Sequence, residues 1–432
     1  MKTTHRATFG GRLSAVLVTA GSAVGLGNIW RFPYVAGENG GGAFLLIYIL
    51  SVLLLGVPIM LSEFAIGRNT HRNAVGAYRT LSSRWSILGY NSILAPLLIM
   101  GFYLVVSGWT LEYMIHSLTG EFTRISTPEA YESLFNAFTQ NPWKPLLYTV
   151  VFTLLTHGVI ALGVQKGIER ERSARIMMPL LLLILVVLAV HSILLPGGTE
   201  GVKFLFAPDF SKVTPSTVLT ALGQAFFSLS IGLGCLVTYA SYFKNDTNIT
   251  HTALQVAFID TLVAVLAGLV IFPAVFSVGI EPTAGPSLVF VTLPAIFNTL
   301  PLSMVWSTIF FLLLVIAALT STISLHEVLT VYVQEEWHLS RRAAAWIVTG
   351  ACIVLGAAAS LSLGAWQWLQ LGGKSFFDLL DFVTANIMLP AGGFFICIFT
   401  GWVLDRRFMP AELTNHGALR LHCLLYTSDA AD

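Results

Sequence analysis

Charge is what this sequence has least of. Asp, Glu, Lys and Arg make up 10% of its 432 residues, against about 25% in soluble globular chains. That is too little to coat a water-soluble fold of this size. The charges also nearly cancel, to a formal +1, which argues against a nucleic-acid partner. Cysteine is sparse: Cys235, Cys352, Cys397 and Cys423 lie far apart, with no CxxC pair and no neighbouring histidine cluster. Neither a metal site nor a disulfide framework fits that spacing. No HExxH stretch and no nucleophile–base pair is present, so no enzyme is expected. A cleavable signal peptide is missing too, because the basic start (Lys2, Arg6, Arg12) leads into an apolar stretch that passes Arg31 without a small-residue cleavage site.

Apolar sequence is what the chain has in plenty. Hydrophobic residues make up 55% and the mean hydropathy is +0.77. They come in long blocks, such as 44–60, 179–195 and 343–363. At 1.5 Å rise per residue, about 20 such residues cross a hydrocarbon core of about 30 Å. The pattern predicts an all-α polytopic membrane protein with ten spans: 13–36, 43–66, 87–118, 143–162, 175–195, 215–243, 253–278, 302–333, 343–363 and 376–404. A polar segment, 119–141, separates spans three and four, and a Pro/Gly-rich loop separates seven and eight.

The basic residues alternate between the two sides of these spans. One side holds Lys2, Arg6 and Arg12; Arg68, Arg72, Arg79 and Arg84; Lys166, Arg170, Arg172 and Arg175; Lys244; Arg341 and Arg342; Arg406, Arg407 and Arg420. The other holds Arg124, Lys144, Lys203, Lys212 and Lys374. By the positive-inside rule the N-terminus is cytoplasmic. The tail after 404 has no stretch long enough to span and no amphipathic period. Two readings of it stand: a disordered tail, or a chain cut short or misjoined before a further helix.

The most informative feature is a repeat. Span one contains Gly21, Gly25, Gly27 and Asn28 within an otherwise apolar run; span six contains Ser228, Ser230, Gly232 and Gly234. Glycine costs about 1 kcal/mol against alanine within a helix, so each cluster favours local unwinding. Unwound backbone is tolerated inside a bilayer where it lines a cavity or binds something. Its carbonyls suit cations, and its N–H groups suit anions. Glycines at close helix contacts are the competing explanation. Two similar clusters, each opening a group of five spans, favour a repeated transporter architecture with a site near the bilayer midplane.

The run from Gly21 to Asn28, continuing into Trp30, Arg31, Phe32 and Pro33 and then Glu38, Asn39, Gly40, Gly41, Gly42, Ala43 and Phe44, resembles the opening signature of neurotransmitter:sodium symporters. The resemblance continues through Gln224–Phe227 and Leu319–Thr322 and covers 6–404. It implies two inverted five-helix repeats, 13–195 and 215–404, with broken helices one and six. A cytoplasmic segment, 1–12, precedes them and a tail, 405–432, follows. The short polar segment after span three, without a cysteine pair or a glycosylation sequon, points to a bacterial protein in the inner membrane.

The same resemblance implies two sodium sites, which need cages of oxygen ligands. One would use the carbonyl of Ala23 with Asn28, Ser228 and Asp260. The other would use carbonyls of Gly21, Val24 and Ala317 with the hydroxyls of Thr320 and Ser321, although such hydroxyls often bond back to their own helix. A small neutral amino acid would be held by Ala23, Leu26, Gly27, Ile99, Tyr103, Phe227, Ser230, Leu233, Ser321 and Leu325. None of these is charged, so acidic and basic substrates are disfavoured. Arg31 and Asp381 would form an outer gate. Arg6, Glu335 and Tyr242 would form an inner one, with Glu336 competing for Arg6 and Phe9 packed nearby. Glu63 is expected to accept from unwound backbone of span six. Chloride is not expected as a co-ion, because Asp260 stands where chloride-dependent relatives keep an asparagine and Ala264 offers no hydroxyl. The function implied is sodium-coupled import of neutral, mostly hydrophobic amino acids. A proton-coupled carrier of the same five-plus-five architecture and a non-transporting amino-acid receptor are the alternatives.

Overall fold

The computed structural model of the chain describes residues 16, 19–21, 23–125, 127–161, 167–277, 288–299, 301–368, 370–415 and 417–418, without the side chains of 128 and 167–177. Arg6, Phe9, the start of span one and the tail beyond 418 therefore lie outside the described residues. The described chain is almost entirely helical. Seven helices are long and apolar enough to cross a membrane unbroken: Gly42–Thr70, Ser83–Leu118, Lys144–Ala161, Ile249–Ser277, Ser303–Glu336, Arg341–Ser362 and Phe376–Val403. These are spans two, three, four, seven, eight, nine and ten.

The other three spans are bent or broken. Span five runs as Met178–Ile193 and turns by 115° into Gly198–Phe206. Gly197 makes that corner with φ 83°, a left-handed conformation that costs glycine no Cβ clash. Spans one and six are interrupted in the middle, at the two glycine clusters. Five is an odd number of crossings, so the second half starts on the opposite side of the membrane from the first. The two halves are thus inverted repeats, each opening with a broken helix.

Two groups of helices carry the packing. Spans three, four, eight and nine pack against one another, while span seven packs on span two and on the break of span one, and the second half of span six packs on span two. The interface between the groups is where both breaks lie. The outside of the molecule is apolar: Leu54, Leu183, Phe258 and Val354 are all well over half exposed. In a soluble protein such a surface would aggregate; here it faces lipid. Trp143, Trp368 and Trp402, each about three-quarters exposed or more, sit near span ends, where indole suits the membrane–water boundary.

Three short helices depart from the sequence reading. The polar segment 119–141 contains a helix, Pro128–Gln140. Its Tyr131, Phe135 and Phe138 are buried, a stripe at i, i+4 and i+7 that plain hydropathy averages away. Leu288–Asn298 lies in the stretch taken as loop before span eight. The tail is not disordered throughout either, because Phe408–Leu413 is a helix docked on span two. Its Glu412 accepts from Arg68 Nε at 2.7 Å, and Arg68 also reaches the Thr247 carbonyl at 2.7 Å. Both charges are buried, so this pair joins the C-terminal end of span two to the tail.

Candidate substrate and ion site

Span one loses its helical ladder at Val24 and Gly25 and resumes as a wide turn, Gly27–Arg31. Two of the N–H groups at the break find side-chain acceptors. Gly25 donates to Asn28 Oδ1 at 3.0 Å, and Leu26 donates to the Tyr103 hydroxyl at 2.8 Å. The Gly27 carbonyl accepts from Gln224 Nε2 at 2.9 Å. Gly25 has no room for a side chain, since a Cβ there would sit 2.0 Å from Ser321 Oγ and 2.7 Å from the Tyr103 oxygen. This glycine brings span one against spans three and eight.

Span six stops at Ser228 and restarts at Cys235. Between them Ser230, Gly232 and Gly234 take positive φ of 57°, 76° and 66°. Gly232 N–H points at Glu63 Oε2, 3.4 Å away, as expected for a carboxyl facing unwound backbone. Glu63 is fully buried.

Three side chains of the first expected set, those of Asn28, Ser228 and Asp260, meet across three helices. Asn28 Nδ2 donates to Ser228 Oγ and to Asp260 Oδ1, both at 2.8 Å, and to the Asp260 carbonyl at 3.1 Å. Ser228 Oγ donates to Asp260 Oδ2 at 2.7 Å. The hydroxyl of Tyr48 also reaches Asp260 Oδ2, at 3.2 Å. All four residues are buried. Tyr48 was missed from sequence because its polar tip is a single hydroxyl inside an apolar block.

The second expected set is only partly gathered. Thr320 Oγ1 donates back to the Ala317 carbonyl at 2.9 Å, the self-bonding habit of membrane threonines. Ser321 bonds to Tyr103 and faces Gly25. Val24 is fully buried, whereas Gly21 faces Met178 of span five.

A small cavity of about 20 Å³ lies between the breaks, room for about one water. Span one contributes Ala23 and Gly27 to its wall, and span three contributes Ile99 and Tyr103. Phe227, Ser230 and Leu233 come from span six, and Ser321 and Leu325 from span eight. Leu26, the remaining expected contact, is engaged through its N–H with Tyr103. Cys235 and Ser324 also line the cavity, and sequence reasoning missed both. A helical period through Ser321 would have found Ser324, one turn on.

Above the cavity, Arg31 meets Asp381 with Nε–Oδ1 3.2 Å and Nη2–Oδ2 3.3 Å. Arg31 also donates to Gln224 Oε1 and lies over the Phe227 ring, 4.9 Å from its centroid. Gln224 thus touches both the break and the ion pair, a role that the sequence, which marked it only as part of the family pattern, did not assign. On the other side, Glu335 Oε2 accepts from Asn73 N at 3.1 Å and from its Nδ2 at 2.8 Å. Glu336 pairs with Arg79 at 2.7 Å. Tyr242, half-buried, lies in the electrostatic reach of Arg341. Arg6, the expected partner of Glu335, is outside the described residues.

This chain matches the model of the Sodium:neurotransmitter symporter family over residues 6–143 and 133–426. The chain belongs to that family. An uncharacterised sodium-dependent transporter of Bacillus subtilis is 40% identical over 406 residues, covering 94% of this chain and 89% of the relative. The human sodium- and chloride-dependent GABA transporter 2 is 27% identical over 430 residues, covering 89% and 71%. Among solved structures, MhsT in complex with L-phenylalanine superposes with a TM-score of 0.90 at 42% identity, covering 94% of this chain and 93% of MhsT. As a member of the symporter family the protein is a sodium-dependent membrane transporter and not an enzyme. Its fold is the broken-helix, inverted-repeat fold described above.

Proposed function

We propose that the protein imports neutral, mostly hydrophobic amino acids together with two sodium ions by alternating access. The observation that carries this reading is the cavity between the breaks: its lining includes no charged side chain, and the oxygens of Asn28, Ser228 and Asp260 lie beside the same breaks. An amino-acid carboxylate would replace the bond between Tyr103 and Leu26 N–H and would complete the first sodium cage with Ala23, Asn28, Ser228 and Asp260. The ammonium would meet carbonyls of Ala23, Phe227 and Ser230. The side chain would lie among Ile99, Leu233 and Leu325, and the cavity widens to admit it. The bound amino acid in MhsT supports this substrate class.

The second sodium would draw the Thr320 hydroxyl away from its own helix, to join Ser321 and carbonyls of Gly21, Val24 and Ala317. Arg31 and Asp381 would close the outer path; Glu335, with Arg6 and Tyr242, would close the inner one. Chloride takes no part, because Asp260 already supplies the negative charge. The protein sits in a bacterial inner membrane with its N-terminus in the cytoplasm, as the basic loops direct. Purified protein in liposomes should accumulate L-phenylalanine or L-leucine under an inward sodium gradient. Equal uptake with the sodium replaced by an inert cation would defeat the proposal.

A further inference from the structure

Span eight carries Ala317, Ser321 and Leu325 on the face towards the breaks. The neighbouring face, about 100° round, holds Thr322 and His326, and both are fully buried. Thr322 Oγ1 lies 2.9 Å from Thr156 Oγ1 of span four. His326 Nε2 lies 2.9 Å from Thr349 Oγ1 of span nine, and His157 Nδ1 of span four reaches the same oxygen at 2.8 Å.

A proton count fixes how these groups are joined. The Thr349 hydroxyl has one proton and donates it to the Ala345 carbonyl at 2.8 Å. Its oxygen can then only accept, so both imidazoles present N–H to it. The other ring nitrogen of His326, Nδ1, lies 2.9 Å from the Thr330 hydroxyl. One hydroxyl thus joins three helices. Glu327, the residue after His326, accepts from both terminal guanidinium nitrogens of Arg341, at 3.1 and 2.6 Å.

In a bilayer no hydrophobic force holds one helix against another, so interhelical hydrogen bonds and packing set register and rotation. The ties that span eight makes to its neighbours fall at Thr322, His326 and Glu327, next to the turns that bear Ser321, Ser324 and Leu325. Nothing among them touches the cavity.

We infer that Thr349, with His157 and His326, is a positioning node that fixes the rotation of span eight and so presents Thr320 and Ser321 to sodium. The inference rests on the sodium-coupled reading above. Thr349→Val keeps the shape and removes the acceptor that the two imidazoles share. Thr349→Ser keeps the hydroxyl. Thr322→Val breaks the independent tie to Thr156.

The test is the sodium dependence of L-phenylalanine binding to the purified full chain, with the ligand-free unfolding temperature measured beside it. Thr349→Val should raise the half-saturating sodium concentration about three- to tenfold, the span expected for losing such bonds. Maximal binding should be retained, Thr349→Ser should stay within about twofold of wild type, and Thr322→Val should shift sodium dependence in the same direction. If Thr349→Val does not fold, Thr322→Val and Thr349→Ser carry the test alone. A folded Thr349→Val with wild-type sodium dependence would overturn the positioning role. So would equal impairment of the Val and Ser variants. Sodium-independent binding by the wild type would overturn the functional reading, and the positioning with it.

Discussion

The amide nitrogen of Asn28 lies 2.8 Å from a carboxylate oxygen of Asp260, although 232 residues separate them in the chain. The oxygen of the same amide accepts from the broken backbone at Gly25. One side chain therefore ties the unwinding of span one to the acidic group of span seven, with Ser228 of span six between them. An ion bound among these oxygens would feel the state of both breaks. That is a physical basis for coupling ion binding to the opening of a path.

Asp260 carries the first prediction. A chloride ion about 4 Å from its carboxylate would be repelled by about 4 kcal/mol at an effective dielectric of 20. Wild-type uptake should be unchanged when gluconate replaces chloride. Asp260→Asn should raise the sodium requirement about tenfold or more, because a cation beside an ionised ligand loses its charge partner. Chloride-stimulated wild-type uptake, or a fully active Asp260→Asn, would reject the assignment.

Arg31 and Asp381 carry the second. Their bonds of 3.2 and 3.3 Å close the space above Phe227 without using any of the expected sodium ligands. Arg31→Ala and Asp381→Ala should each slow net transport about tenfold, equivalent to 1.4 kcal/mol on the barrier. Equilibrium amino-acid affinity should change less than that. Wild-type transport rates in both variants would remove the gate.

Cys235 provides a native reporter. Cys235 and Cys352 are both buried, but Cys235 lines the cavity at the restart of span six, whereas Cys352 lies within span nine away from it. In a background with the other three cysteines changed to serine, sodium plus L-phenylalanine should slow alkylation of Cys235 several-fold. A labelling rate indifferent to sodium and amino acid would place the substrate elsewhere.

The sequence alone determined the class of protein, the spans and the two breaks. Long apolar blocks leave a chain one solvent, and clustered glycines inside them mark where a helix ladder fails. Those are local properties, legible residue by residue. The wall of the cavity was legible for a different reason: order along the chain, matched to a family pattern, carried Ile99, Tyr103, Phe227 and Leu325 to one place. Tertiary structure alone decided the polar meetings that the family pattern does not name. Tyr48 joins Asp260, Gln224 bridges Gly27 and Arg31, Glu335 takes Asn73, and Thr349 receives two histidines from helices far apart in sequence. Each is one hydroxyl, amide or carboxyl whose partner depends on how two helices are rotated against each other. Hydropathy averages over that rotation, and in a membrane only packing and hydrogen bonds choose it.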